Sequence, residues 1–291
     1  MSTPPFLALP DAVLTRRVRT SRGEFAVLEA GADDAPLVLL VPGWTGSKED
    51  FIAVLVPLAD SGYHAVALDQ RGQYETPGSG HEDDYTLPAL AADLAALAEQ
   101  CAGAGRKAHL VGHSFGGLVT RSAVLHRPGM AASLTLLCSG PAAIPPDRRP
   151  LLQAMADAIP TIGLQATFEA KRAYERSQGA PEVPHDIERF LERRFLAHDP
   201  VSLRAMTLHL ISAQDEVDAL ATAGIPILVA FGTTDDGWPR DIQVDMAHRL
   251  GARLTIIAKA GHSPAAERPR DTVATLTRFW ATVSLPTSQT R

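Results

Sequence analysis

Short runs of β-branched and aliphatic residues alternate along the chain with longer segments in which apolar residues recur every three or four positions. The short runs predict β-strands, and several are apolar throughout, which is typical of strands covered by helices on both faces. The first two runs are more polar and indicate an antiparallel hairpin at one edge of a sheet. The predicted strands cover residues 13–19, 25–29, 37–41, 64–68, 108–111, 133–137, 227–231 and 254–258.

The longer segments predict amphipathic helices between these strands. Regular alternation of strand and helix is typical of βαβ units, which build a mostly parallel sheet with helices on both faces. We therefore expect an α/β fold around an eight-stranded sheet. The predicted helices cover residues 49–59, 87–102, 115–126, 242–250 and 269–283.

The alternation stops between residues 142 and 223, where no strand pattern occurs. This segment is rich in proline at its start and continues with amphipathic patterns near residues 164–177, 186–197 and 201–213. A strand-free insertion after the sixth strand predicts a helical cap over the strand ends, and helices packed directly on the sheet are the alternative. The predicted organisation is a core of residues 1–141 and 224–291 with a cap of residues 142–223.

Composition and charge narrow the class of protein. The chain has 291 residues, 45% hydrophobic and 21% charged, which suffices for one large domain. A net charge of −6 without any basic cluster argues against a nucleic-acid partner. The N-terminal segment has no basic stretch before an apolar run, and no run approaches the roughly 18 apolar residues of a membrane span. We expect a soluble cytoplasmic protein without a membrane partner, and its oligomeric state stays open.

Residues 110–117 (Leu-Val-Gly-His-Ser-Phe-Gly-Gly) carry the strongest chemical signal. They contain the G-x-S-x-G pattern around Ser114, between a predicted strand and a predicted helix. In that setting the serine sits on a sharp turn that projects its hydroxyl, and the flanking glycines let strand and helix pass closely. The pattern predicts Ser114 as a nucleophile, with the start of the next helix directed at developing negative charge.

A serine nucleophile needs a base, usually histidine, that is itself held by a carboxylate. On this type of turn the acid and then the histidine follow the serine along the chain. His262 comes directly after a glycine that follows the last predicted strand, so it is the expected base. His113 is expected to be structural, and His209 is a remote alternative because it precedes the candidate acids.

Two neighbouring aspartates, Asp235 and Asp236, follow the strand predicted at residues 227–231. Either could present a carboxylate from the loop, and surface turn chemistry would also explain both. Acyl transfer further requires two N–H donors for the tetrahedral oxygen, each contributing roughly 3 kcal/mol in the transition state. The residue after the nucleophile, Phe115, supplies one, and the loop after the third strand supplies the other through the backbone of Trp44.

With these motifs in place, the chain resembles the α/β-hydrolase fold superfamily, specifically its capped serine hydrolases, from about residue 13 to residue 283. The motifs occur in the family order at residues 42–44 (Pro-Gly-Trp), 69–72 (Asp-Gln-Arg-Gly), 112–117, 232–235 (Gly-x-x-Asp) and 261–269, the last with Gly-His, Glu and Pro.

The resemblance implies a role for each candidate residue. Ser114 would be the nucleophile, His262 the general base and acid, and Asp235 rather than Asp236 the orienting carboxylate. The backbone N–H groups of Trp44 and Phe115 would form the oxyanion hole, and the Trp44 indole is a candidate wall of the acyl pocket. The loop at residues 69–72 is usually structural in the family.

Two positions depart from the family pattern. Pro42 stands where relatives often have histidine, which changes the packing behind the oxyanion hole but leaves its backbone donors. Residues 73–76 (Gln-Tyr-Glu-Thr) replace the usual glycine and serine, so we expect this loop to be reshaped near the pocket. Relatives with an aspartate nucleophile, the dehalogenases and epoxide hydrolases, are disfavoured because serine occupies the turn.

The leading functional hypothesis is hydrolysis of a small carboxylic ester, lactone or thioester through an acyl-enzyme. Carbon–carbon bond hydrolysis, perhydrolase chemistry and a lyase step would use the same residues, and a ligand-binding protein with slow turnover is a third class. No metal or organic cofactor is implied, because serine, histidine and aspartate supply the chemistry themselves. Four arginines of the predicted cap could bind an acidic substrate, although surface charge is the simpler interpretation: Arg172, Arg193, Arg194 and Arg204.

Overall fold

The computed structural model describes residues 2–103 and 105–283. Its strands form one eight-stranded sheet: β1 (Leu14–Thr20), β2 (Gly23–Ala30), β3 (Leu37–Val41), β4 (His64–Leu68), β5 (Ala108–His113), β6 (Ala131–Leu137), β7 (Ile227–Gly232) and β8 (Arg253–Ile257). The spatial order is β1-β2-β4-β3-β5-β6-β7-β8. The pairs β1–β2 and β2–β4 are antiparallel and all others are parallel, so the predicted mostly parallel sheet with an edge hairpin is confirmed.

Helices connect the strands and cover the sheet. They are α1 (Ile52–Asp60), α2 (Leu87–Ala102), α3 (Phe115–His126), α4 (Arg149–Ser177), α5 (His185–Leu196), α6 (Pro200–Ser212), α7 (Val217–Ala221), α8 (Arg240–Arg249), α9 (Pro264–Glu267) and α10 (Pro269–Trp280). A 3₁₀ turn precedes α1 where the sequence predicted its first residues. Among the described helices, none combines the length and apolarity needed to cross a membrane.

The sheet has a hydrophobic core on each face, as strand periodicity requires. In β3, Leu39 and Val41 pack with residues of α2, α3 and α8, whereas Val38 and Leu40 pack with residues of α1 and α10. All four side chains are fully buried. Helices on both faces therefore leave the carboxyl edge of the parallel strands as the place where polar loop residues can meet.

The segment between β6 and β7 contains helices α4 to α7 and no strand. The prediction that its first helix starts near residue 164 is wrong, because α4 already begins at Arg149. Pro150 lies in the first turn of α4, where no N–H is needed, and is therefore compatible with a helix. Gly163, with φ 78°, interrupts α4 and divides it into two helical parts. The sequence pattern predicted a helix only for the second of them.

Arg121, on α3, ties both ends of this helical segment to the core. Its guanidinium donates hydrogen bonds to the carbonyl of Pro141, where the chain leaves β6, and to that of Gln214, where it returns, the latter at 3.2 Å. It also forms an ion pair with Glu216 at 3.2 Å. One buried side chain thus positions the exit and the return of the insertion together.

A second buried arginine joins α5 to the core beside β3. The expectation that Arg194 is a surface charge is wrong, because its side chain is fully buried. It donates to Asp50 Oδ1 at 2.6 Å and to the carbonyl of Ser2 at 2.8 Å. A buried charge requires a partner, and Asp50 supplies it. The neighbouring Arg193 is exposed, in agreement with the prediction.

We predict that Arg194→Met lowers the free energy of unfolding by about 3–5 kcal/mol, because it leaves Asp50 as an uncompensated buried carboxylate. Urea unfolding of wild type and variant measures this difference. Arg193→Met is the matched control, since an exposed substitution changes stability by about 0.5 kcal/mol or less. Equal effects of the two substitutions would contradict the role of the buried ion pair.

Candidate active site

Ser114 lies on the turn between β5 and α3. Its backbone has φ 53° and ψ −118°, a conformation that residues other than glycine rarely adopt. The N–H of Ser114 donates to the carbonyl of Leu137 at the end of β6, at 2.9 Å, which holds the turn against the neighbouring strand. The strained conformation lifts the hydroxyl away from the sheet.

The turn depends on glycines where strand and helix approach most closely. A Cβ on Gly112 would lie 2.4 Å from the carbonyl oxygen of Gly116, and one on Gly116 would lie 2.3 Å from that of Val41. Both distances are far below contact range, so neither position tolerates a side chain. The two glycines of the G-x-S-x-G pattern are thus required because strand and helix pass too closely for a side chain.

The structure brings the three predicted side chains together in one hydrogen-bonded chain. His262 Nε2 lies 3.0 Å from Ser114 Oγ, and His262 Nδ1 lies 2.6 Å from Asp235 Oδ1. The Asp235 side chain is 2% exposed, whereas that of His262 is 27% exposed. Asp236 is 74% exposed, and its Oδ2 lies 4.0 Å from Arg148 Nη1.

Asp235 is held by more than the histidine. Its Oδ1 accepts from the N–H of Gly237 at 2.9 Å, and its Oδ2 accepts from Gln243 Nε2 at 2.7 Å. Burial alone would raise the pKa of Asp235, but the hydrogen bond and charge of His262, together with these donors, lower that pKa below its usual value. Gln243 lies on α8 outside any motif, and sequence reasoning missed it.

The loop that carries His262 is fixed on both sides. His113 Nε2 donates to the carbonyl of His262 at 2.6 Å, and Glu267 accepts from the N–H groups of Gly261 and Ser263. Burial, with the nearby charge of His262, lowers the pKa of His113 to about 4, so that His113 is neutral near pH 7. The structural role predicted for His113 is thus to hold the loop that carries His262.

The two candidate oxyanion donors lie beside the serine. Gly43 packs on Ser114, since a Cβ at residue 43 would lie 3.1 Å from Ser114 Cβ. In residues 2–103 and 105–283, no protein acceptor binds the N–H of Trp44 or of Phe115. The Trp44 indole donates to Thr207 Oγ1 on α6 at 2.9 Å, which anchors the loop to the helical segment.

A cavity of about 1070 Å³ opens over Ser114 and His262. Its walls come from the strand ends and from α4, and they include a largely apolar group of side chains: Trp44, Ile144, Leu152, Met155, Leu210 and Trp238. Trp44 is thus one of the residues that line the cavity. Lys171 and Arg172 also line it, and each forms an ion pair with Glu175.

Other predicted or excluded residues lie elsewhere. Asp69 accepts from the buried Lys48 Nζ at 2.9 Å, and Arg71 pairs with Asp93 at 2.6 Å, so the loop at residues 69–72 is built from structural ion pairs. His209 Nε2 lies 2.8 Å from the carbonyl of Tyr85, whereas the imidazole within hydrogen-bond distance of Ser114 Oγ is that of His262.

Metal-ligand types come together at two places in the described part of the chain. One group is Cys138 with Asp235 and His262, in which Asp235 and His262 already hydrogen-bond each other and the Cys138 thiol donates to the carbonyl of Gly261 at 3.7 Å. The other is Glu29 with Asp33 and His64 at the sheet edge, where Arg16 already pairs with Glu29 at 2.8 Å. Cys138 itself is fully buried.

Comparison with known proteins agrees with the fold. The model of the Alpha/beta hydrolase family matches residues 38–276. The chain is 29% identical over 254 residues to the pimeloyl-[acyl-carrier protein] methyl ester esterase of Aeromonas hydrophila subsp. hydrophila, over 84% of this chain and 95% of that protein.

Two solved structures share this architecture. A thermophilic esterase from Thermogutta terrifontis superposes with a TM-score of 0.76 at 23% identity, over 94% of this chain and 100% of that one. The enol-lactonase from Burkholderia xenovorans LB400 gives a TM-score of 0.75 at 18% identity, over 91% and 100%. At these identities the structures establish the fold, and the family model covers most of the sequence. The chain therefore belongs to the alpha/beta hydrolase family and is an enzyme of that family.

Proposed function

We propose that the protein is a serine hydrolase that cleaves a small carboxylic ester, lactone or thioester through an acyl-enzyme on Ser114. The observation that carries this proposal is the hydrogen-bonded chain from Ser114 Oγ through His262 to Asp235, with atom separations of 3.0 Å and 2.6 Å. These distances lie within hydrogen-bond reach, as a nucleophile, its base and the base's orienting acid require.

The residues have defined tasks in this reaction. Ser114 Oγ attacks the carbonyl carbon while its proton passes to His262 Nε2, and Asp235 stabilises the resulting imidazolium. The N–H groups of Trp44 and Phe115 bind the oxyanion, and collapse of the tetrahedral intermediate expels the leaving group, which takes the proton from His262. Water then attacks the acyl-enzyme with His262 as base, and the acid and free Ser114 are released.

We also propose that residues 142–223 form a helical cap over a core of residues 1–141 and 224–291. Support comes from the cavity, whose floor includes Ser114 and His262 of the core and whose walls include Leu152 and Met155 of α4. A cavity of about 1070 Å³ has room for more than an acetyl group. The Aeromonas relative is named a pimeloyl-[acyl-carrier protein] methyl ester esterase, and that name is consistent with ester chemistry here.

Ser114→Ala is expected to lower the turnover of p-nitrophenyl esters by about four to six orders of magnitude, because it removes the nucleophile. Its melting temperature should stay close to that of wild type. The matched control is Ser139→Ala, which removes a buried hydroxyl that has no hydrogen-bond partner in the described structure. Substantial turnover by Ser114→Ala, or no ester turnover by folded wild type, would contradict the proposal.

Asp235→Asn is expected to lower kcat by about 10³–10⁴-fold, since an asparagine cannot hold His262 in the required tautomer or stabilise its charged form. Asp236→Asn tests specificity, because that side chain is exposed and does not contact His262. We expect it to retain nearly full activity in the same steady-state assay. Comparable losses in both variants would argue against Asp235 as the orienting acid.

Met155→Trp should narrow the cavity and select against long acyl groups. We expect kcat/KM for p-nitrophenyl octanoate to fall about tenfold relative to that for p-nitrophenyl acetate, because the larger side chain excludes methylene groups. Ile162→Trp, also on α4 but exposed and not lining the cavity, is the control. An unchanged acyl-length preference in Met155→Trp would place acyl binding outside this cavity.

A further inference from the structure

The peptide unit between Gly43 and Trp44 carries the N–H that the proposed mechanism uses as an oxyanion donor. The peptide is planar and trans, so its C=O and N–H point in opposite directions. Two groups hold the carbonyl of Gly43: Gln73 Nε2 donates to it at 2.9 Å, and the N–H of Gly46 donates at 3.1 Å. Whatever fixes this carbonyl therefore also aims the N–H of Trp44.

Gln73 is itself held rigidly. Its side chain is fully buried, and its Oε1 accepts from the N–H of Gln70 at 3.1 Å. Its backbone closes two turns. The N–H of Gln73 donates to the carbonyl of Gln70 at 2.8 Å, and the N–H of Thr76 donates to the carbonyl of Gln73 at 2.9 Å. Tyr74 continues this loop with φ 42°, a conformation that favours glycine. Residues 73–76, which replace the usual glycine and serine of the family, therefore still form a tight turn.

We propose that Gln73 is a positioning residue of the oxyanion hole. Its amide orients the peptide from Gly43 to Trp44, and a hydrogen bond to the carbonyl of a peptide also polarises its N–H, which makes that N–H a stronger donor. This inference rests on the proposed function, because it assigns Gln73 to the Trp44 donor of that reaction. Gln73 does not line the cavity over Ser114, so it acts on the proposed reaction through this peptide.

Gln70 provides a matched comparison within the same loop. Its Nε2 donates to the carbonyl of Pro42 at 2.9 Å, the same distance as the bond from Gln73 to Gly43. Both glutamines are buried. The peptide that Gln70 holds, from Pro42 to Gly43, carries the N–H of Gly43 rather than that of Trp44. Loss of the Gln70 side-chain amide removes one buried hydrogen bond with the backbone and loss of the Gln73 amide removes two, and of these two glutamines only Gln73 bonds the donor peptide.

The test compares Gln73→Met with Gln70→Met on a p-nitrophenyl ester. We expect Gln73→Met to lower kcat by about 10- to 100-fold with KM changed less than about twofold, because a misaimed donor weakens binding of the transition state and not of the substrate. A trifluoromethyl ketone, whose adduct with the serine carries an oxyanion, should lose affinity in parallel. Gln70→Met should lose less than about threefold in kcat, because the peptide that it bonds does not carry the N–H of Trp44.

Gln73→Asn is the second variant, in case the methionine variant does not fold. Its amide is one methylene shorter and does not reach the carbonyl of Gly43, so the same loss of kcat and of ketone affinity is expected. Wild-type kcat and ketone affinity in a folded Gln73 variant would overturn the inference, as would equal kcat losses in the Gln70 and Gln73 variants. Failure of the proposed function is separately visible, because wild type would then form no acyl-enzyme and Ser114→Ala would behave like wild type.

Discussion

The backbone strain at Ser114 is the constraint on which the rest of the site depends. A residue with φ 53° and ψ −118° persists only where its surroundings hold it, and here β5, α3 and the end of β6 do so. The close approach of α3 to β5 and β3 leaves no space for a Cβ at Gly112 or Gly116. Because the hydroxyl is placed by this crossing of strand and helix, the histidine, the acid and the N–H donors of the proposed mechanism must be brought to it by other parts of the chain.

Those elements are fixed by buried polar contacts rather than by hydrophobic packing alone. Gln243 and the N–H of Gly237 hold Asp235, while His113 holds the loop of His262. Each buried donor or acceptor in these contacts would be costly if unpaired, so each pair specifies one arrangement. Arg194 does the same for α5 by pairing with Asp50 next to β3. These contacts fix α5 and the loops of Asp235 and His262 in position.

Part of this site was predictable from local sequence. Ser114 and His262 each follow the end of a strand and lie near glycines, and this local pattern can be recognised in the sequence without knowledge of the fold. Asp235 needed the family spacing, because Asp236 satisfies the same local rule. Gln73 and Gln243 were not predictable, because their amides act on residues 30 and 8 positions away whose proximity arises only on folding.

By itself, the sequence determined the eight strands, their mostly parallel arrangement, the strand-free insertion and the serine turn. These features follow from hydrophobic periodicity and from the conformational limits of glycine and serine, both of which act over a few residues. Only the tertiary structure decided that α4 begins at Arg149, that Arg194 is buried, and which aspartate meets the histidine. Such outcomes depend on contacts between distant segments, where burial and pairing of charges outweigh local preference.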